Sequence, residues 1–429
     1  MKKTSTKLRN LVIYQIYVRN FSEKGDFRAI IDDLDRIKNL GVDVIYLLPI
    51  HPIGEKNKKG SLGCPYSIKD YNLVDEDLGG LSEFRKLIDD AHAKKLKVMM
   101  DIVFNHTSRD SVLLKNHPEW FYHNEQGVIA NRVGDWWDVV DLDYSKHKNL
   151  WFELLNVLVY YARMGVDGYR CDVASMVPLD FWKLARKQIK KVNNKFMWLS
   201  ESVHGAHCKF LRDQGFECAS ESEVYQAFDM AYDYDIEPYM QAYLHGETTL
   251  KPYLEGLKRQ DEIYPSNYVK MHNLENHDIE RIAKQVDGNI SKIKNWTAFM
   301  FMQKGATMLY MGQEYAADIK PSLFDKELYT KNDDLTEFIT KLAKLKKRKI
   351  FASGIYSVNI PEIDGVAYQS FADQIEEYHG IFNVGLTTGF IKVNLPDGKY
   401  RNYLTNKYVI VKDSLVKLSN DAIIVKYRK

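Results

Sequence analysis

Gly165-Val-Asp-Gly-Tyr-Arg-Cys-Asp-Val-Ala-Ser-Met-Val-Pro178 is the stretch from which the fold of this chain reads outward. Val166 to Cys171 has the length and character of a short strand. It ends on an Arg and an Asp and then turns towards a new helix. Side chains alternate between faces along a strand, so Arg170 and Asp172 share one face. A guanidinium beside a carboxylate fixes its orientation and favours its ionised form, which lowers the pKa. An ionised Asp can attack carbon without a base to activate it. The same two residues would also make a structural ion pair at a strand end, and within this stretch both readings stand.

On either side, apolar strand-like runs alternate with helical ones. Upstream, Leu11–Val18 reads as a strand, and residues 26–39 carry Phe27, Ile30, Ile31, Leu34 and Ile37 at helical spacing. Val42–Leu48 is a second strand, apolar in the manner of strands buried on both faces. After a polar, Gly-rich loop come a helix over Leu81–Lys94 and a third strand over Lys97–Phe104. Residues 106–144 break the rhythm, with turn residues among Trp120, Phe121, Tyr122, Trp136 and Trp137, and read as an inserted subdomain. Downstream, strands at Phe196–Ser200, Ala227–Tyr234, Tyr268–His272 and Thr307–Met311 alternate with helices. Those helices cover Leu150–Arg163, Leu179–Val192, a turn or two at Ala206–Arg212, a single long Ile236–Leu257, Ile293–Gln303 and Leu335–Lys346.

Eight strand–helix units with right-handed crossovers predict an α/β fold, a closed (β/α)8 barrel. It takes residues 1–105 and 145–349, with 106–144 inserted after the third strand. Past Ile350 the pattern becomes short strands separated by Gly, Asp, Asn and Pro: Tyr368–Phe371, Tyr378–Val384, Gly389–Asn394, Tyr400–Leu404, Tyr408–Val411 and Ala422–Lys426. Residues 350–429 are therefore expected to form an all-β sandwich domain.

The 429 residues carry 60 basic and 58 acidic side chains, a net +2, which supplies no basic field for nucleic acid or an anionic membrane. The cysteines, Cys64, Cys171, Cys208 and Cys218, show no zinc spacing and read as free thiols. Lys2, Lys3, Lys7 and Arg9 before Leu11–Val18 loosely imitate a leader. Gln15 interrupts the apolar run, however, and charged residues follow where a cleavage site should sit. No apolar run approaches the ~18 residues of a membrane span. The expected location is cytoplasmic, or secreted if a leader has been removed.

In such a barrel, chemistry sits at the carboxyl ends of the strands. Strand three ends in Asp101-Ile-Val-Phe-Asn105-His106, strand four in Arg170 and Asp172, strand five in Glu201, and strand seven runs into Asn276-His277-Asp278. The loop after strand two offers Tyr66. Asp101, Asp172, Glu201 and Asp278 at one rim, far apart in sequence, are hard to explain by stability alone. Two chemistries suit them. A metal-dependent hydrolase would use His and Asp ligands, but strand one offers none. Glycoside hydrolysis needs one carboxylate as nucleophile and one protonated carboxyl across the scissile bond, and the sequence favours it.

These segments, Asp-Ile-Val-Phe-Asn-His (101–106), Gly-Tyr-Arg-Cys-Asp (168–172), Glu201 and Asn-His-Asp (276–278), resemble the four signature regions of the α-amylase family of glycoside hydrolases. The resemblance implies Asp172 as nucleophile, Glu201 as general acid and then base, and Asp278 as the carboxylate that holds the −1 sugar. Crowding by Asp172 and Asp278 would help keep Glu201 protonated. The resemblance also implies Arg170, His106 and His277 around that sugar, Tyr66 as the platform beneath it, and Asp101 and Asn276 in support. No cofactor is required by it, with Asn105 and Asp141 as ligands if calcium binds. Ser175-Met176 stand where many starch-degrading relatives carry Lys-His, a pair tied to an acceptor-side sugar contact and to calcium. Val173 also occurs in relatives acting on short or α-1,6-linked oligosaccharides. The compact insertion implies a fairly open cleft.

The expected activity is retaining hydrolysis of α-glucosidic bonds, chiefly α-1,4, in malto-oligosaccharides and other α-glucans. The alternatives are a transglycosylase or an oligosaccharide α-glucosidase on the same residues, and a glycan-binding barrel without catalysis.

Overall fold

The structure, a computed structural model, describes residues 4–429. Eight parallel strands close into a barrel: β1 (Val12–Ile16), β2 (Val44–Leu47), β3 (Lys97–Ile102), β4 (Gly168–Cys171), β5 (Met197–Ser200), β6 (Met230–Tyr232), β7 (Lys270–His272) and β8 (Gly305–Tyr310). Each pairs with its neighbours in this order, and β8 returns to β1. The eight expected strands are present with trimmed or shifted ends, and the helix Leu179–Val192 has its expected bounds.

Helices wrap the barrel because each has one apolar stripe to bury. In Phe27–Asn39 that stripe is Phe27, Ile30, Leu34 and Ile37, and the Asp26 side chain caps the first turn by accepting from the Ala29 N–H at 2.9 Å. The expected single helix over Ile236–Leu257 is instead two, Glu237–Leu244 and Lys251–Ile263. The apolar period runs through both. Gly246, at φ +74°, takes the left-handed turn that ends the first, and Pro252 sits in the opening turn of the second.

Inside the barrel, Ile13, Val44, Tyr46, Met99, Met197, Leu199, Met230, Tyr232, Met271 and Met308 fill the bore and are buried from solvent. The period of two carries the same inward face upwards. Ile13 leads to Gln15, Met99 to Asp101, Leu199 to Glu201, and Tyr232 to Tyr234. Asp101 lies opposite Arg170 in register, and Arg170 opposite Leu199. A slip of one residue would turn every one of these polar groups outward, so burial of the apolar plug below sets the register of the polar rim above.

Between β3 and β4 a short hairpin pairs His106–Ser108 with Val139–Asp141. The C-terminal part is two four-stranded antiparallel sheets. Val366, Tyr368 and Ile381 of one pack against Ile391, Val411 and Val416 of the other. Two of its strands, Ile355–Asn359 and Leu415–Lys417, have no counterpart among the strands expected from the residue pattern. Both are short and mostly solvent-facing, so their apolar alternation is weak.

Candidate active site

Arg170 is the centre around which the rim assembles. Its side chain is buried, and its Nη1 donates to both oxygens of Asp101 and to Asp172 Oδ1, each at 2.9 Å. Nη2 lies 2.5 Å from Glu201 Oε1, a charge contact without an aligned N–H···O. One guanidinium thus carries carboxylates from β3, from the end of β4 and from the end of β5. Burial alone would lower its pKa, but Asp101 and Glu201 raise it well above the usual value, so it stays charged.

Arg170 pulls the Asp172 pKa down, as expected, but the net shift runs upward. Asp172 is 7% exposed. Burial first, then the charge of Glu201, push its carboxyl well up, and Arg170 only offsets part of that. Burial likewise raises Asp101, and enclosure by the cleft walls raises Asp278 although its tip is half exposed. His106 and His277 are pushed down, by burial first, to about 4 and about 3, so both are neutral near pH 7. Three carboxyls therefore share one buried cation, with Asp278 close by, and burial disfavours the ionised forms of Asp101 and Asp172.

The second carboxylate oxygen of Glu201, Oε2, accepts from the Val173 N–H at 2.8 Å. Val173 sits at φ +34°, ψ 44°, a left-handed conformation costly for a β-branched residue, and that turn aims its N–H at Glu201. On the opposite edge the Tyr234 hydroxyl donates to Glu201 Oε1 at 3.4 Å, and the His204 ring stacks on Tyr234 at 5.0 Å.

His277 is oriented from both sides. The Gln15 amide N–H donates to its Nδ1 at 3.1 Å, which leaves the ring proton on Nε2. Nε2 is then 2.8 Å from Tyr66 Oη and 3.1 Å from Asp278 Oδ2. Tyr66 stacks on His277 at 5.3 Å and donates its own hydroxyl hydrogen bond to Asp101 at 2.9 Å, as Tyr46 does at 2.7 Å. Asn276 Oδ1 accepts from the Asp278 and Ile279 N–H groups, both at 2.7 Å, and so holds the turn that presents Asp278. Asp278 is half exposed to the cleft, unlike Asp172 and Glu201. His106 Nε2 lies 3.9 Å from Asp172 Oδ2, and Trp136 packs edge-on against its ring.

The other candidate residues thus converge on this network, and Asn105 and Asp141 adjoin it only through His106. Gln15, Tyr46, Tyr234 and Trp136 join it without having been singled out for it. Gln15 carried a readable signal, a polar residue interrupting a buried strand; for the others an inward aromatic looks like any core residue.

Asn105 and Asp141 do not fit a calcium ion. Asp141 is buried, and its Oδ2 accepts from the Arg132 backbone N–H at 2.8 Å and from Arg132 Nη1 at 3.2 Å. Its Oδ1 accepts from Asn105 Nδ2 at 3.4 Å, and the same Nδ2 lies 3.1 Å from His106 Nδ1. A cation is already supplied by the chain, itself covered by the rings of Tyr122 and Phe216. Among the described residues no group of three or more His, Cys, Asp and Glu side chains is placed to hold a metal, and none of the helices is long and apolar enough to cross a membrane.

Comparison with known proteins agrees with this architecture. Residues 15–353 match the family described as alpha amylase, catalytic domain, and residues 358–425 that described as bacterial alpha amylase C-terminal domain. An alpha-amylase structure from Lactobacillus plantarum is 42% identical with TM-score 0.94, over 99% of this chain and 100% of that one. A structure described as a noncanonic maltogenic alpha-amylase from Thermotoga neapolitana is 31% identical with TM-score 0.87, over 99% and 100%. The intracellular maltogenic amylase of Bacillus subtilis is 27% identical over 355 residues, 76% of this chain and 55% of that protein. An alpha-1,4-glucan:maltose-1-phosphate maltosyltransferase of Picrophilus torridus is 30% identical over 249 residues, 52% of this chain and 39% of its own. The chain spans between about two-fifths and just over half the length of such relatives.

Proposed function

The chain belongs to the α-amylase family, and from that premise we propose that it is a retaining hydrolase of α-glucosidic bonds in malto-oligosaccharides and related α-glucans. Asp172 attacks the anomeric carbon while Glu201 gives its proton to the glycosidic oxygen. The C–O bond breaks, the shortened chain leaves, and a β-glycosyl-enzyme remains on Asp172. Glu201, now ionised, takes a proton from water, whose oxygen displaces Asp172 and restores the α configuration.

The observation that carries this reading is the sharing of one buried guanidinium by Asp172 and Glu201. Retention calls for carboxyls roughly 5–5.5 Å apart, against the roughly 6.5–9.5 Å that admits a water between them. In this reading Asp278 and the neutral His106 and His277 bond sugar hydroxyls, with Tyr66 as the apolar face beneath the ring.

A second outcome, transfer to a sugar instead of water, is favoured by one feature. A hollow of about 570 Å3, lined by Val203, His204, Tyr239 and the Tyr234 whose hydroxyl reaches Glu201, could seat an acceptor. Starch, pullulan, maltotriose, isomaltose and sucrose, with products separated by chromatography and their first anomer read by NMR, test the proposal. Hydrolysis yields shorter α-anomers, and transfer yields lengthened chains. A β-anomer as first product, or no turnover of any of these sugars, refutes it.

A further inference from the structure

The rim is built unevenly about the Asp172–Glu201 pair. A general acid stands on the leaving-group side of the bond it protonates, and there the chain leaves the hollow beside Tyr234 and His204. Tyr66, His277 and Asp278 face the sugar being transferred, so the remainder of a glucan towards its non-reducing end must run beyond Tyr66. On that side three loops are fastened together.

Lys59, in the same loop as Tyr66, puts its Nζ 3.0 Å from buried Asp138 of the insertion, 4.4 Å over the Trp137 ring and 5.9 Å over Phe324 of the loop after β8. The Leu62 N–H donates to the Phe324 carbonyl at 3.0 Å, and Ser61 gives both its N–H and its hydroxyl to Asp325 Oδ1, at 2.8 and 2.6 Å. Arg19 bonds the Gly63 carbonyl at 3.0 Å from below. Gly60, at φ +62°, lets the loops close: a Cβ there would lie 2.5 Å from Phe324 Cβ. The clasp adjoins the site directly, since Trp136, next to Trp137, packs on the His106 ring at 5.2 Å.

We propose that the Lys59–Asp138–Phe324 clasp makes the cleft blind on its non-reducing side, so that the protein trims short units from chain ends and does not cut within chains. This rests on the reading of the site as an α-glucan hydrolase, and it names the substrate feature that site selects, a free non-reducing end. The binding sites left for that end are few, because a longer chain would have to displace a mostly buried ion pair together with the hydrogen bonds that tie Ser61 and Leu62 to Phe324 and Asp325.

The test uses maltoheptaose carrying a fluorophore at its reducing end, with the non-reducing glucose either free or blocked by an ethylidene group. Wild-type protein is expected to shorten the free substrate stepwise and to cut the blocked one at least about 100-fold more slowly. Lys59→Ala and Asp325→Ala should each raise the blocked-to-free ratio about tenfold or more, with free-end turnover largely kept. Equal rates on the two substrates, with internal fragments, would overturn this inference and leave the hydrolase reading standing. Folded variants that still reject the blocked chain as strongly as wild type would also overturn it. No turnover of either substrate would refute the hydrolase reading itself, and this inference would fall with it.

Discussion

Replacing Asp172 by Asn separates the chemical role of this residue from its structural one. The side chain is nearly isosteric and keeps an acceptor for Arg170 Nη1, 2.9 Å away. Exchanging a charge-assisted bond for a neutral one forfeits about 1–2 kcal/mol. Against that, burial and the neighbouring Glu201 already disfavour the ionised Asp172, so removing its charge offsets part of that loss. The net change in stability is then within about 2 kcal/mol, which for a chain of this length leaves Tm within roughly 5 °C. Without a carboxylate at the anomeric carbon, the covalent step loses its nucleophile, and kcat should fall at least about 10⁴-fold, or ~5.5 kcal/mol in the barrier. Reducing-sugar release and scanning calorimetry on one preparation read both. Turnover within tenfold of wild type would refute the assignment. So would a large loss of Tm, which would make the Arg170–Asp172 pair a structural ion pair. A companion variant, Asp172→Gly with added azide, should accumulate the β-glycosyl azide, the single-inversion product.

Further expectations follow from other parts of the molecule. Glu201→Gln should lose about 10³-fold or more on natural glucans, yet form the glycosyl-enzyme from a glycosyl fluoride, whose leaving group needs no proton; equal losses on both would sink its role as acid. Because Arg132 already pairs with Asp141, Tm in excess chelator should match Tm in millimolar calcium to within ~1 °C, whereas Arg132→Ala should cost about 3–5 kcal/mol by orphaning a buried carboxylate. A clear calcium-dependent rise in wild-type Tm would contradict that. Buried His51, whose Nδ1–H donates to the Leu73 carbonyl at 2.8 Å, has a pKa of about 4. The unfolded chain takes up its proton first as pH drops below ~6.5, so the native state loses about 1.4 kcal/mol per unit between there and about 4. Denaturant titrations at pH 7 and 5 should show that slope reduced in His51→Gln, and an unchanged slope would refute the shift. His106 and His277 act in the same sense. The raised carboxyls act in the opposite one, since the native state keeps protons the unfolded chain has shed, and their contribution is lost as pH rises.

Much of the barrel was legible because parallel strands buried on both faces and helices buried on one leave distinct periods in the residues themselves. The pairing of Arg170 with Asp172 needed only the alternation of a strand, and the convergence of Asp101, Asp172, Glu201 and Asp278 only the rule that strand ends share a rim. The break at Gly246 was written in the chain but masked by a helical period that continues across it.

What lies across the fold was not legible. Ser61 meets Asp325, Gln15 meets His277, and Arg132 folds back on Asp141 beside His106, and no local pattern announces such partners. The direction of the Asp172 shift also belongs to the assembled site, because a guanidinium two residues away is a local fact whereas burial and the approach of Glu201 are not. Local periodicity and residue chemistry travel with the chain, so they determine the barrel and the identity of its acids. Distances between loops and the dielectric around each charge exist only once the chain has closed, and they decide which way the Asp172 pKa moves and which loops meet beside the cleft.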